Sequence, residues 1–241
     1  MSDTISATGT AAAGSAWKPV DCVEVNTGAD PRNAVIWLHG LGADGHDFEP
    51  LVPMLGMDRL DATRFATRFI FPHAPVRPVT LNGGMAMRAW YDIRGMDVAR
   101  DQDGAGIAHS AGLVSELIRR ETERGVSESR IVLAGFSQGG AIAAHVGLRH
   151  PRKLAGLLIL SAYLLYPERL AAELNPANAA TEVFIGHGTL DPMVPVSMGR
   201  VLARQLRELG MPVTSREYLM PHAVIPEEIA DIAAWLAARL G

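Results

Sequence analysis

The feature that most constrains the fold is the repeated alternation of short apolar runs with longer segments of helical periodicity. The short runs predict strands at Ala34–Leu38, Phe69–Phe71, Ile131–Phe136, Leu157–Leu160, Val183–Ile185 and Val213–Tyr218, with a further edge strand at Val20–Val25. The periodic segments predict helices at Phe48–Leu55, Ile107–Arg124, Gly139–Arg149, Pro167–Leu174, Val196–Leu209 and Pro226–Leu240. Because continuously apolar strands need cover on both faces, this alternation predicts an α/β fold with a mostly parallel central sheet and helices on both faces.

The length of 241 residues suits one α/β domain. Residues 1–16 are rich in Ser, Thr, Ala and Gly and predict a flexible N-terminal tail, and we expect residues 17–241 to form a single domain. The tail lacks the basic and apolar segments of a secretory signal, so a cytoplasmic location is the default expectation. The single cysteine, Cys22, excludes a disulfide framework within the chain.

Composition and charge exclude several classes of function. The formal net charge is −4, and Lys and Arg are scattered along the chain, so no basic surface for nucleic acid or an anionic membrane is predicted. No stretch approaches the about 20 apolar residues that cross a bilayer, and 48% apolar residues are too many for a disordered chain. We therefore expect a small-molecule partner, no nucleic acid and no stable membrane insertion. The Met and Leu content would allow a homodimer without requiring one.

The stretch from Ile131 to Ala141 reads as a strand, the pattern Gly-x-Ser-x-Gly and a helix. A tight strand-to-helix turn of this kind holds a serine hydroxyl exposed at the carboxyl edge of the sheet. Gly135 and Gly139 permit the turn, because side chains there would collide with the adjoining strand or helix. Ser137 is therefore the candidate nucleophile, and the alternative is an idle serine in an ordinary turn.

A nucleophilic serine needs a histidine base that a carboxylate orients, and in this kind of fold the chain order is Ser, then Asp or Glu, then His. Asp191 follows a predicted strand, and His222 lies between the last predicted strand and the last predicted helix, so both can reach the same sheet edge as Ser137. His187 is the second choice for the base, although it precedes Asp191. The Asp191-Pro192 pair is also compatible with an ordinary loop.

The remaining requirement is a pair of backbone N–H groups that bind the oxyanion. Leu41, in the Gly-rich loop after an early strand, and Gln138, directly after the serine, are the candidate donors. One group of ionisable residues superficially resembles a metal site, namely His39, Asp44, His46 and Asp47. Its spacing matches no metal-binding pattern, and no Gly-rich string has the ending of a phosphate loop, so we expect neither a metal nor another cofactor.

Five motifs occur in an order and spacing that resemble one known family. They are Leu38 to Gly45, Trp90 to Ile93, Gly135 to Gly140, His187 to Pro195 and the late His222. Together they resemble the phospholipase/carboxylesterase family of α/β-hydrolases, which contains bacterial carboxylesterases and acyl-protein thioesterases. The resemblance covers residues 17–241 and implies an α/β-hydrolase fold. The interval of residues 161–182 is too short to hold a cap domain.

The resemblance implies that Ser137 is the nucleophile, His222 the general base and Asp191 its orienting acid, with Leu41 and Gln138 forming the oxyanion hole. The implied activity is metal-independent hydrolysis of carboxylic esters of short to medium acyl chain through an acyl-enzyme. An acyl-protein thioesterase or a lysophospholipase with the same catalytic residues is the alternative within enzymes. A non-catalytic binding module with this fold is the alternative from another class.

The resemblance also implies an open site without a lid. Four residues are expected to contact the substrate there, namely Trp90, Leu81, Met193 and Val194. One position departs from the family pattern, because Pro221 precedes His222 where the family usually has glycine. Since proline fixes φ, we expect this loop to be stiffer than in relatives.

Overall fold

A seven-stranded sheet forms the centre of the computed structural model, which describes residues 20–57, 60–95 and 101–241. In spatial order its strands are β1 (Cys22–Asn26), β3 (Thr67–Pro72), β2 (Asn33–Leu38), β6 (Ile131–Phe136), β7 (Gly156–Leu160), β8 (Val183–Gly188) and β9 (Val213–Tyr218). Strand β1 is antiparallel to β3, and the other neighbouring strands are parallel. The predicted mostly parallel sheet is confirmed, and the tail predicted for residues 1–16 lies outside the described residues.

Helices cover both faces of this sheet, as predicted. They are α1 (Val52–Leu55), α2 (Ala62–Phe65), α3 (Gly104–Glu123), α4 (Gln138–Arg149), α5 (Leu170–Glu173), α6 (Val196–Glu208) and α7 (Pro226–Leu240). Helices α3, α4 and α6 pack on one face, and α1 and α7 pack on the other. Every residue of β2, β3, β7 and β8 is buried, which explains the continuous apolar runs in the sequence. No helix among the described residues is long and apolar enough to span a bilayer.

The segment of residues 72–103, for which the sequence predicts neither a strand nor a helix, contains a separate hairpin. Strands β4 (Val76–Val79) and β5 (Met85–Arg88) pair in antiparallel fashion. The connection between them ends in two glycines with positive φ, Gly83 at 66° and Gly84 at 79°. A Gly-Gly pair is a hairpin signal. The prolines of this segment obscured that signal, but a two-stranded sheet has only edge strands, and these tolerate proline.

Two predicted helices are shorter than expected. The segment predicted as Phe48–Leu55 is a 3-10 turn at Glu49–Leu51 followed by the single turn of α1, which ends at Gly56 in the left-handed conformation. The segment predicted as Pro167–Leu174 is likewise divided into a 3-10 turn and the single turn of α5. The helix predicted as Pro226–Leu240 has the expected bounds.

A carboxyl group on α7 is buried beneath β8 without a hydrogen-bond partner among the described residues. Glu228 is fully buried, and its carboxyl group fills the space above Gly186, where a Cβ would collide with it. Neither carboxyl oxygen has a hydrogen-bond partner within the described part of the chain. Burial and the nearby Asp231 raise the pKa of Glu228 to about 8, so the group is held as the neutral acid at neutral pH.

We expect Glu228→Gln to gain stability relative to the wild type as the pH rises. Because the folded state keeps a proton that the unfolded chain releases, the wild-type free energy of unfolding falls from the ordinary pKa of 4.5 up to about 8. The amide does not titrate, so the difference between the two proteins grows by at most about 1.4 kcal/mol per pH unit. Urea unfolding across this pH range measures it. Glu227→Gln, at the exposed neighbouring position, is the matched control, and a pH-independent difference for Glu228→Gln would contradict the prediction.

Candidate active site

The serine predicted as the nucleophile lies in a strained turn between β6 and α4. Ser137 has φ 54° and ψ −120°, a conformation that residues other than glycine rarely adopt, and its N–H donates to the Leu160 carbonyl at 2.9 Å. The turn depends on two glycines. A Cβ on Gly135 would overlap the Gly139 backbone, and a Cβ on Gly139 would overlap the Leu38 carbonyl. This close packing holds Ser137 at the carboxyl edge of the sheet.

A buried carboxylate holds the predicted base in place. Asp191 Oδ2 lies 2.6 Å from His222 Nδ1, and Asp191 Oδ1 accepts hydrogen bonds from the N–H groups of Met193 and Val194, both at 2.8 Å. The Asp191 side chain is buried, whereas 18% of the His222 side chain is exposed. Because an ionised carboxylate only accepts hydrogen bonds, Nδ1 carries the proton and Nε2 remains the basic nitrogen of the ring.

The other histidine considered as a base supports the loop instead. His187 is buried, and its Nε2 donates to the Val194 carbonyl at 2.8 Å. The same nitrogen is 3.6 Å from Asp191 Oδ2. Burial lowers the pKa of His187, so the ring is neutral and acts as an uncharged donor. The geometry therefore favours His222 as the histidine that Asp191 orients.

The loop after β2, which carries Leu41, is fixed by the ring of His39. His39 Nδ1 donates to the Gly40 carbonyl at 2.7 Å, and Nε2 accepts from the Ala74 N–H at 3.0 Å. One neutral tautomer satisfies both contacts, since it has one donor and one acceptor nitrogen. Burial lowers the pKa of His39 to about 4, so the ring stays uncharged at neutral pH.

Gln138 and Trp90 connect this loop with the nucleophile turn. Gln138 Oε1 accepts from the Trp90 N–H and Nε2 donates to the Tyr91 carbonyl, both at 2.8 Å. The Trp90 indole N–H donates in turn to the His39 carbonyl at 2.9 Å. Gln138 is also the first residue of α4, so its own N–H has no acceptor within the helix. One network thus fixes both segments that carry the predicted oxyanion donors, Leu41 and Gln138.

Trp90 has a different place from the one predicted. Its side chain is fully buried, and its ring packs 5.3 Å from the His39 ring, measured between centroids. This placement corrects the expectation that Trp90 contacts the substrate. The direction of the indole depends on contacts with residues far away along the chain.

A cavity of about 410 Å³ opens beside the serine, a volume within the range of small-molecule sites. The predicted residues that line it are Leu41, Leu81, Ser137, Gln138, Met193, Val194 and His222. The lining also includes residues that the sequence analysis did not assign to substrate contact, among them Asp47, Met87, Ile93, Phe136 and Tyr163. They come from separate parts of the chain, so no single local motif marks them as one lining. Among residues 20–57, 60–95 and 101–241, no three His, Cys, Asp or Glu side chains are grouped so as to hold a metal ion.

Two buried tyrosines support one side of the cavity. The hydroxyl groups of Tyr91 and Tyr163 lie 2.6 Å apart, and Tyr163 lines the cavity. Burial raises the pKa of Tyr163 to about 12, so the ring stays neutral. Because its hydroxyl is bonded to Tyr91, Tyr163 adds an uncharged aromatic surface to this side.

Comparisons with known proteins agree with the fold. Residues 20–240 match the model of the family described as Phospholipase/Carboxylesterase. Acyl-protein thioesterase 1 of Neurospora crassa is 40% identical over 216 residues, which are 86% of this chain and 86% of that protein. The crystal structure of Arabidopsis thaliana SOBER1 matches with a TM-score of 0.79 at 28% identity, covering 87% of this chain and 100% of that one. The crystal structure of Zea mays acyl-protein thioesterase 2 matches with a TM-score of 0.76 at 26% identity, covering 92% of this chain and 100% of that one. The chain belongs to the phospholipase/carboxylesterase family of α/β-hydrolases.

Proposed function

We propose that this protein is a serine hydrolase that cleaves acyl esters and thioesters of short to medium chain through an acyl-enzyme on Ser137. The observation that carries the proposal is the 2.6 Å contact between Asp191 Oδ2 and His222 Nδ1. This contact leaves His222 Nε2 as the base, and His222 and Ser137 line the same cavity. An oriented imidazole beside a serine in a strand-to-helix turn is the arrangement that activates a hydroxyl nucleophile.

The reaction follows from these positions. Ser137 Oγ attacks the acyl carbon as His222 Nε2 takes its proton, and the N–H groups of Leu41 and Gln138 stabilise the oxyanion. The bond from the acyl carbon to oxygen or sulfur then breaks, and His222 gives the proton to the leaving alcohol or thiol. A water molecule that His222 activates then cleaves the acyl-serine and releases the acid. The positive end of α4 points at the developing charge.

The acyl group is the part of the substrate that the cavity suits. Leu81, Met87, Ile93, Met193 and Val194 line it with apolar side chains. The relatives that are 33% to 40% identical to this chain are named acyl-protein thioesterase 1, which supports thioesters as well as esters. Hydrolysis of acylated proteins is therefore the second candidate function.

A non-catalytic binding module accounts less well for the geometry. The positive φ of Ser137 costs free energy, of order 1–3 kcal/mol for such a conformation. The Asp191 carboxylate is buried and has three donors arranged around it. A binding site gains nothing from either feature, whereas nucleophilic catalysis uses both.

Replacing the nucleophile tests the proposal directly. We expect Ser137→Ala to lower kcat for p-nitrophenyl butyrate by at least about a thousandfold. Without the serine hydroxyl no acyl-enzyme can form and there is no proton to transfer to the histidine. Labelling by a fluorophosphonate probe is expected to disappear as well. Ser115→Ala, at an exposed position on α3, is the matched control and is expected to keep both. Hydrolysis by Ser137→Ala at the wild-type rate would exclude the mechanism.

The length of the acyl chain separates the two candidate functions. We expect kcat/KM for p-nitrophenyl esters to rise by about fourfold per methylene while the chain fills the cavity, at about 0.8 kcal/mol for each buried methylene. The value of kcat/KM should stop rising between butyrate and octanoate and then level off, because further methylenes stay in water. A series from acetate to palmitate measures the profile. A continued rise up to palmitate would contradict this expectation and favour long-chain acyl proteins or lipids.

The network around Trp90 predicts a second effect on catalysis. We expect Trp90→Phe to lower kcat about tenfold or more with little change in KM, because the His39 carbonyl loses its indole donor and the Leu41 N–H loses its position. Trp37→Phe is the matched control. Trp37 is equally buried, but its indole N–H has no partner within the described chain. Equal losses of kcat in both variants would show that lost packing, and not the hydrogen bond, is responsible.

A further inference from the structure

The cavity holds one carboxylate that the mechanism above does not use. Asp47 lines the cavity, where the other ionisable side chains are those of Tyr163, which stays neutral, and His222. No basic side chain within the described residues forms an ion pair with Asp47. Partial burial, and after it the nearby Asp44 carboxylate, raise the pKa of Asp47 above its ordinary value. Because Asp47 lies at the exposed rim, it remains ionised at neutral pH, so this part of the cavity has a negative potential.

Aromatic contacts place Asp47 on the same side of the cavity as the histidine. The ring of His222 packs 4.6 Å from that of Phe136, and the ring of Phe136 packs 5.6 Å from that of Phe48, the residue after Asp47. Phe48 belongs to the apolar cluster on the α1 and α7 face of the sheet, and Phe136 packs against that cluster. Asp47 and His222 therefore lie above this face.

Part of the apolar lining belongs to the opposite side. Tyr163 and Val194 line the cavity and belong to the apolar cluster on the α3, α4 and α6 face, and Ile93 lines the cavity and packs against that cluster. This side therefore suits the acyl chain. The leaving group has to lie beside His222, because the imidazole that takes the serine proton returns it to the leaving atom. We therefore expect the leaving group to lie on the Asp47 side of the cavity and the acyl group on the other side.

We propose that Asp47 selects the leaving group, so that the enzyme prefers acyl esters and thioesters whose alcohol or thiol carries a cationic group. The inference rests on the serine hydrolase function proposed above. A quaternary or protonated amine on the leaving group is attracted by Asp47, whereas a sulfonate or phosphate is repelled. The reaction is unchanged: water and the thioester give the free acid and the thiol, which leaves with a proton from His222.

The experiment compares three hexanoyl thioesters that differ in the charge of the leaving thiol. They are the ester of thiocholine, the ester of its uncharged carbon isostere, and the ester of mercaptoethanesulfonate. At low ionic strength we expect wild-type kcat/KM to be about three- to tenfold higher for the cationic thioester than for the uncharged one. The value for the anionic thioester is expected to be lower than that for the uncharged one. Released thiol is measured with a chromogenic reagent.

Variants of Asp47 assign the preference to this residue. Asp47→Asn is expected to bring the ratio of cationic to uncharged substrate close to one, and Asp47→Lys to favour the anion. Asp30→Asn makes the same change in net charge in the connection before β2, at the end of the sheet away from the cavity, and is expected to keep the wild-type ratios. This control separates a local effect from a change in the overall field.

Each outcome decides the inference. Equal kcat/KM for the three wild-type reactions, or a ratio that Asp47→Asn leaves unchanged, would overturn it while the proposed function stands. Failure of the folded wild-type protein to hydrolyse any of the three would overturn the proposed function and this inference together. A preference that collapses in Asp47→Asn and reverses in Asp47→Lys supports the assignment.

Discussion

The site depends on the direct contact between the first turn of α4 and the backbone of β2 and β6. Gly135 and Gly139 make this approach possible, because a Cβ on either residue would overlap main-chain atoms. As a result, Ser137 adopts a positive φ at the sheet edge, and the end of β2 lies against the start of α4. The positions of the proposed nucleophile and of both predicted oxyanion donors therefore depend on this close packing of backbone against backbone.

A hydrogen-bonded network then holds the loops that this contact brings together. Gln138 binds the backbone of Trp90 and Tyr91, and the Trp90 indole binds the carbonyl of His39. His39 continues the network to Ala74. All these groups are buried, so leaving one of them unpaired would cost the desolvation energy of that group. This cost gives the site one arrangement, which suits a reaction that needs donors in position before charge develops.

Burial divides the histidines near the site into two roles. His39 and His187 are buried, their pKa values are lowered, and each acts as a neutral brace of a loop. His222 is partly exposed to the cavity and is bonded to the ionised Asp191. The same residue type is therefore a neutral brace at two positions and the proposed base at the third, according to what surrounds it. Burial also keeps an acid neutral in this protein, because the pKa of Glu228, which is buried without a hydrogen-bond partner among the described residues, is raised.

The sequence by itself determined the fold class and the place of Ser137, Asp191 and His222 at one sheet edge, because apolar periodicity, glycine spacing and chain order are local patterns. It did not show the β4–β5 hairpin, whose prolines resemble those of a loop. Only the tertiary structure decided that Trp90 is buried and that Asp47 faces the cavity. The physical reason is distance along the chain: Trp90 meets Gln138 across 48 residues, and such contacts follow from the packing of whole elements, which no local pattern records.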